Sequence, residues 1–278
     1  MRWYLFSTTI FWPCFAGLTI LVIGLVSARK ELLAARGLDK LAVLGCVFYA
    51  APLALFGAEH LVAAESIKQI VPPWMPGRLF WTYFVGVALI AAALSIVLTK
   101  YIPLTARLVG VMFFLFVLMI HLPSVAANPK NRILWAIAFR DLSFAGAAWC
   151  LAGIPALGRF CIAIPVMFFA VEHFLHPEFV PGVPLEKLIP TWVPFPPAVG
   201  YLTGAALFVA GALMLANKHV RTAAIWLGLL ITLEVVFLYL PILALASGPG
   251  ALTEAMNYVA DTLLFGGTIL LLANSARK

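Results

Sequence analysis

Residues 52–60 read Pro-Leu-Ala-Leu-Phe-Gly-Ala-Glu-His, and residues 165–173 read Pro-Val-Met-Phe-Phe-Ala-Val-Glu-His. Both segments share a proline and a Glu-His pair at the same spacing. Each is followed by a second shared segment: Ile-Val-Pro-Pro-Trp-Met-Pro at 70–76, and Leu-Ile-Pro-Thr-Trp-Val-Pro at 188–194 after five additional residues. Self-similarity at a fixed spacing is the signature of an internal repeat. The sequence therefore predicts a duplicated unit.

Beyond the shared tryptophan the two copies stay in register without a gap. The matched positions are Gly86 with Gly204, His121 with Tyr239, Pro123 with Pro241 and, after a shift of two residues, Asp141 with Asp261. The copies are not equivalent in chemistry, because a histidine of the first copy is a tyrosine in the second. Only the first copy has a titratable imidazole at this position.

The composition excludes a soluble globular protein. Of 278 residues, 64% are hydrophobic and 10% are charged, whereas an average soluble domain has about 25% charged residues. The net charge of +7 does not indicate nucleic-acid binding, because the basic residues form short groups between apolar runs. Four cysteines lie inside these runs without a C-x-x-C pair, which argues against a thiol–disulfide enzyme.

The apolar runs predict an all-α, polytopic membrane helix bundle with about nine transmembrane helices, since a span needs about 20 apolar residues. The predicted spans are 3–28, 41–63, 80–98, 104–122, 133–153, 159–176, 197–216, 220–243 and 254–274. We therefore divide the chain into an additional N-terminal helix with a basic loop (1–40), a first four-helix repeat (41–153) and a second one (154–278). Four spans in each copy make the repeat parallel, with an axis near the membrane normal.

The loop charges predict the orientation in a cell (inner) membrane. Alternate loops carry eleven Lys and Arg residues on one side and six on the other, with Arg140 inside a span. The positive-inside rule then places the N-terminus outside and the C-terminus in the cytoplasm. The lipid bilayer is the expected partner, and no nucleic-acid partner is expected.

Ionisable residues inside spans are costly and often functional, so they are the candidate site residues. In the first copy we assign catalytic roles to Glu59, His60, His121 and Asp141. As ligand-binding residues we assign Trp74, Glu172, His173, Trp192, Tyr239 and Asp261. No metal site is predicted. With the predicted topology, nearly all of these side chains lie in the outer half of the membrane.

Two interpretations of the Glu-His pairs stay open. A carboxylate beside an imidazole can hold a proton, ligate a metal or hydrogen-bond a quinone or another polar head group. Alternatively, both side chains only hydrogen-bond the following loop and fix the helix end. The tryptophans of the Trp-Pro loops are interface anchors, as is usual, or they form the roof of a pocket above the Glu-His pair.

An apolar helix ending in Glu-His, then a Val-Pro-x-Trp-x-Pro turn and a Tyr-x-x-Gly-x-x-Leu helix, resembles the DoxX family of four-helix membrane proteins. Residues 41–153 and 159–274 each resemble one such unit. The resemblance implies a compact four-helix bundle, sometimes associated with quinone-linked oxidoreductases such as thiosulfate:quinone oxidoreductase or with terminal oxidase systems. The resemblance makes a quinone the candidate cofactor and a redox protein the candidate partner. The residues themselves do not identify a cofactor.

The leading hypothesis is a quinone- or lipid-interacting membrane subunit associated with an oxidoreductase, with its site near the outer leaflet. The alternative is a non-catalytic scaffold or a transporter-like protein. The observation that separates them is whether the polar side chains converge on a cavity or are each satisfied locally.

Overall fold

The computed structural model describes residues 7–183 and 186–276 and contains thirteen α-helices and two π-helical turns in that part of the chain. The α-helices are α1 (Thr8–Ser27), α2 (Arg29–Ala34), α3 (Asp39–Val62), α4 (Ala64–Ile67), α5 (Arg78–Val97), α6 (Ile102–Phe116), α7 (Leu122–Ala127), α8 (Arg132–Leu151), α9 (Pro155–Leu175), α10 (Pro196–Leu215), α11 (Val220–Glu234), α12 (Leu240–Leu245) and α13 (Pro249–Ser275). The π-helical turns are Val117–His121 and Val235–Tyr239. Apart from one isolated bridge between Phe179 and Leu188, the described residues have no β-structure.

Nine helical segments within the described residues are long and apolar enough to cross a membrane. This confirms the prediction of an all-α bundle with about nine spans, and these segments are those of an integral membrane protein. The first six residues of the chain, including part of the predicted span 3–28, lie outside the described residues. In the remainder, the observed helices follow the predicted spans closely.

The fourth and eighth spans both continue past a proline. The fourth therefore ends five residues later than predicted, while the ninth begins five residues earlier, at Pro249. The fourth runs to Ala127 although Pro123 lacks a backbone donor, and the eighth runs to Leu245 past Pro241. In both, a π-helical turn precedes the proline, so that Leu122 N–H donates to Val117 O, five residues back. In the wider turn each N–H bonds to a carbonyl five residues back instead of four. The proline's missing N–H therefore does not end the helix.

The middle helices of the two predicted copies correspond in order and length. The segments α5, α6, the first π turn and α7 recur 118 residues later as α10, α11, the second π turn and α12. The packing between copies is also reciprocal. The last helix of the first copy, α8, packs on α9, and the last helix of the second, α13, packs on α3. A two-fold axis produces this pattern, although the domain division and the axis direction stay predictions.

Glycines allow the helices of the two copies to approach closely. A Cβ built on Gly158 of α9 would lie 2.6 Å from the carbonyl oxygen of Gly146 of α8. A Cβ built on Gly267 of α13 would lie 2.5 Å from the backbone nitrogen of Tyr49 on α3. Small residues at such crossings permit backbone-to-backbone packing in membranes. The copies are therefore joined tightly through α3, α8, α9 and α13, while α1 packs outside on α3.

Candidate functional site

A cavity of about 1240 Å³ lies within the first copy. Its walls are mostly apolar and come from α3, α5, α6 and α8, with a contribution from α13 of the second copy. Wall residues such as Phe84 on α5 and Leu108 on α6 are also exposed on the protein. The cavity is therefore open at the side of the bundle between α5 and α6, where a membrane would supply lipid.

Polar side chains gather at one end of this cavity, where α3 and the first π turn end. They include the four predicted catalytic residues, Glu59, His60, His121 and Asp141, and the predicted ligand-binding residue Asp261, together with Arg140 and Asn257. The π turn carries His121 to this end, because it shifts the side chains that follow by one position relative to a regular helix. The structure thus brings together residues from both copies.

Most of these polar groups are paired with one another. His121 Nε2 lies 2.9 Å from an Asp141 carboxylate oxygen. Arg140 Nη1 donates to Asp261 at 2.6 Å, and Arg140 Nε lies 3.4 Å from Asp141. A buried charge is tolerated when it is paired and hydrogen-bonded in this way. The chain of contacts from His121 to Asp261 therefore forms a preorganised polar wall.

His60 differs from its neighbours in having one ring nitrogen turned to the cavity. Its Nδ1 donates to the carbonyl of Phe56 at 2.8 Å, one turn earlier in α3. A neutral imidazole with that hydrogen committed offers Nε2 as an acceptor. Among the described residues, no hydrogen-bond partner of this Nε2 is present, and His60 lines the cavity. Gly86 on α5 fixes the position of the ring, since a Cβ there would lie 3.0 Å from the His60 Cβ.

Glu59, the other member of the pair, also faces the cavity. Asn257 Nδ2 of α13 donates to its Oε1 at 3.1 Å. Adjacent residues of a helix point about 100° apart, and the cavity is wide enough to receive both side chains. Asn257 lies one turn before Asp261 on α13, and its contact with the first copy depends on the packing of α13, so it could not be read from the sequence.

The equivalent space in the second copy is filled by the chain itself. Residues 178–183 and 186–189, which we call the strap, fold inward, and Val180 and Val183 are each only 2% exposed. The backbone N–H of Gly182 donates to His173 Nε2 at 3.0 Å. The hydroxyl of Tyr239 donates to the carbonyl of Pro181 at 2.5 Å. These contacts lie at the positions that face the cavity in the first copy.

The remaining predicted ligand-binding residues do not line the cavity. Glu172 accepts from Arg132 Nη1 at 3.0 Å, an ion pair between α9 and α8 that the sequence analysis missed. His173 and Tyr239 hold the strap. Their contacts agree with the alternative in which the second Glu-His pair fixes a helix end and the loop after it.

The tryptophans do not form a pocket roof, so that interpretation is wrong for both. Trp74 is 69% exposed and Trp192 is 46% exposed, and neither lines the cavity. Both tryptophans lie on proline-containing loops outside the helices, where proline disfavours helical backbone. In the first copy the same loop does cover the cavity, but with Pro72 and Met75.

Among the described residues, no group of three or more His, Cys, Asp and Glu side chains is placed to hold a metal ion. The side chains at the polar end can instead accept and donate hydrogen bonds and hold protons. Combined with the apolar walls, this suits a molecule with a polar head and an apolar body.

A family model described as a domain of unknown function (DUF8561) matches residues 49–138. The matched segment runs from α3 into α8 and includes Glu59, His60 and His121. No curated protein matches the chain. No solved structure matches it either.

Proposed function

We propose that this integral membrane protein binds a lipophilic molecule in the cavity of its first copy. The observation that carries the proposal is a large apolar cavity, open between α5 and α6, that ends at Glu59, His60, His121 and Asp141. Ligand pockets typically combine apolar walls with a few convergent polar groups, and volumes of about 300–1,000 Å³ hold drug-sized molecules. A cavity of about 1240 Å³ accommodates an amphiphile with a long apolar part.

The orientation of the bound molecule follows from the two ends of the cavity. The head lies against the polar wall, where His60 and Arg140 are accessible from the cavity. The tail lies along residues such as Leu89 and Met112 and leaves through the opening between α5 and α6. A hydrogen bond between Ser95 Oγ and Thr105 Oγ1, 2.6 Å apart, joins these helices at the other end. Entry from the bilayer then needs no passage through water.

A quinone is our candidate for this molecule. Its ring carries oxygens that hydrogen-bond to polar side chains, and its isoprenoid tail is apolar. The proposed relationship to DoxX units supports this choice and adds a redox protein as a partner and an oxidoreductase as the associated activity. In this scheme His60, His121 and Asp141 handle the protons, since imidazole and carboxylate can both hold one.

The alternative, a scaffold or transporter-like protein without catalysis, is favoured by a different observation. His121, Asp141, Arg140 and Asp261 pair with one another and so stabilise the contact between the copies without any ligand. In that case the cavity is filled by ordinary membrane lipid. The two functions differ in whether one defined molecule occupies the cavity.

Filling the cavity tests the proposal. Ala88 on α5 lines the cavity, and Ala88→Phe places a ring inside it. Its counterpart 118 residues later is Ala206 on α10, and Ala206→Phe adds the same bulk in the second copy. Native mass spectrometry of the purified protein should show a defined lipophile on wild type and on Ala206→Phe, and at least about tenfold less on Ala88→Phe. A wild-type protein carrying only a random set of lipids contradicts the proposal.

A further inference from the structure

The strap of the second copy shows what its histidine binds. His60 and His173 are held alike: each Nδ1 donates to a carbonyl one turn earlier, at 2.8 Å to Phe56 and 2.6 Å to Phe169. The Cβ of each histidine also lies against a glycine of the following long helix, Gly86 in the first copy and Gly204 in the second. The two Nε2 atoms therefore present the same acceptor in the same direction relative to their own copies.

In the second copy this acceptor is satisfied from within the chain. The Gly182 N–H reaches His173 Nε2 at 3.0 Å, and the buried valines on either side of the Pro-Gly segment bring apolar groups into the same space. The strap thus fills this space of the second copy with a hydrogen-bond donor, the Gly182 N–H, and with the apolar side chains of the two valines. In the first copy the loop is five residues shorter, and the cavity lies where the strap would be.

The charges at the polar end of the first cavity disfavour an anionic head group. The carboxylates of Glu59, Asp141 and Asp261 face the cavity. Among the described lining residues, Arg140 is the one with a guanidinium group. Arg140 is already engaged by Asp261 and Asp141. Glu186 adds a further carboxylate to the lining, whereas that of Glu254 is paired with Lys187 at 2.7 Å. Like charges in a site of low dielectric repel strongly.

We infer that the first-copy cavity takes an uncharged amphiphile whose head group is a hydroxyl, and that this hydroxyl donates its hydrogen to His60 Nε2. The inference rests on the proposed function and narrows its ligand class. A ligand with oxygen acceptors only leaves Nε2 unsatisfied, so of a quinone only the reduced form, the quinol with its ring hydroxyls, meets this requirement. A fatty-acid carboxylate meets the acidic cluster. Leaving a buried acceptor without a donor costs binding free energy.

Three probes of equal chain length separate these possibilities: 1-hexadecanol, hexadecyl methyl ether and palmitate. The full-length protein, stripped of lipid in detergent, is equilibrated with equimolar pairs of probes, and the bound ratio is measured by native mass spectrometry. The alcohol should exceed the ether by about fivefold to tenfold, as expected for one hydrogen bond. It should exceed palmitate as well. Equal binding of alcohol and ether, or a preference for palmitate, overturns the inference and leaves the proposed function intact.

Substitution of the histidine locates the preference. In His60→Leu the ratio of alcohol to ether should fall to about one, while ether binding itself persists and shows that the cavity is intact. His60→Gln retains an amide oxygen as an acceptor and should keep part of the preference. An alcohol preference that survives His60→Leu overturns the assignment to Nε2. Failure of the wild type to bind any of the three probes overturns the inference, whereas the proposed function is decided by whether a defined lipophile is found on the purified wild type.

Discussion

Arg140 belongs both to the polar end of the cavity and to the contact between the two copies. Its guanidinium bridges Asp141 of its own helix and Asp261 of α13. Asp141 is also hydrogen-bonded to His121. Loss of the arginine leaves two carboxylates close together without a counter-charge, next to the cavity.

We expect Arg140→Leu to lower the free energy of unfolding by about 3–5 kcal/mol, because removing one partner strands the buried charges of the other. Unfolding by SDS in mixed micelles measures this. The double variant Arg140→Leu/Asp261→Leu should be more stable than Arg140→Leu alone, since it also removes one stranded carboxylate. A single variant within about 0.5 kcal/mol of wild type, typical of a surface ion pair, would show that the pair is solvated.

At the scale of elements, the strap and the loop of the first copy have diverged most. The strap is held by Val180 N–H donating to Lys187 O at 2.7 Å and Ile189 N–H donating to Glu178 O at 2.9 Å. Its tip is held by His173 and Tyr239. In the first copy the corresponding segment forms the short helix α4 and a proline turn that covers the cavity without entering it.

Gly182→Ala should release the strap. Gly182 has φ of +106°, which an alanine adopts only with strain, and its Cβ would lie 3.0 Å from Glu234 Oε2. The expected cost is about 1–3 kcal/mol, and trypsin should cleave after Lys187 faster than in wild type. Gly153→Ala is the control, because Gly153 has φ of +83° with nothing near its Cβ, so only the backbone strain remains. Equal cleavage after Lys187 in both variants would mean that the strap does not depend on this contact.

At the scale of the whole molecule, reciprocal packing makes each copy complete the other. Helix α13 packs on α3, and α8 packs on α9. Through this exchange Asn257 and Asp261 of the second copy reach the cavity of the first. The orientation of the bundle in the membrane remains a prediction from the loop charges.

Cysteine labelling tests that orientation. With Ala at Cys14, Cys46, Cys150 and Cys161, a membrane-impermeant maleimide applied to intact cells should label Lys68→Cys but not Lys218→Cys. The latter should react only after permeabilisation, because its loop belongs to the basic side. Labelling of Lys218→Cys on intact cells would reverse the topology and place the polar end of the cavity at the cytoplasmic face.

The sequence by itself determined the helices, because a span is specified locally by the length of an apolar run, and the nine predicted runs correspond to nine spans in the part of the chain that the structure describes. It also located the ionisable residues of the first copy that meet at the cavity. Glu59, His60 and His121 lie near the ends of spans, and Asp141 lies inside the apolar run of the next span, where an ionisable side chain is costly. The predicted fourth span ended before Pro123, whereas the predicted eighth span already included Pro241; in both helices a π turn compensates for the missing donor and the helix continues.

Only the tertiary structure decided which copy has an open cavity and which residues of the other copy face it. Asp261 contacts Arg140 across 121 positions of the chain, and the strap fills the second copy through contacts with His173 and Tyr239. These contacts depend on how the helices pack and on how a five-residue insertion folds. Both are decided by the sum of many weak interactions between distant residues, which no local pattern in the sequence records.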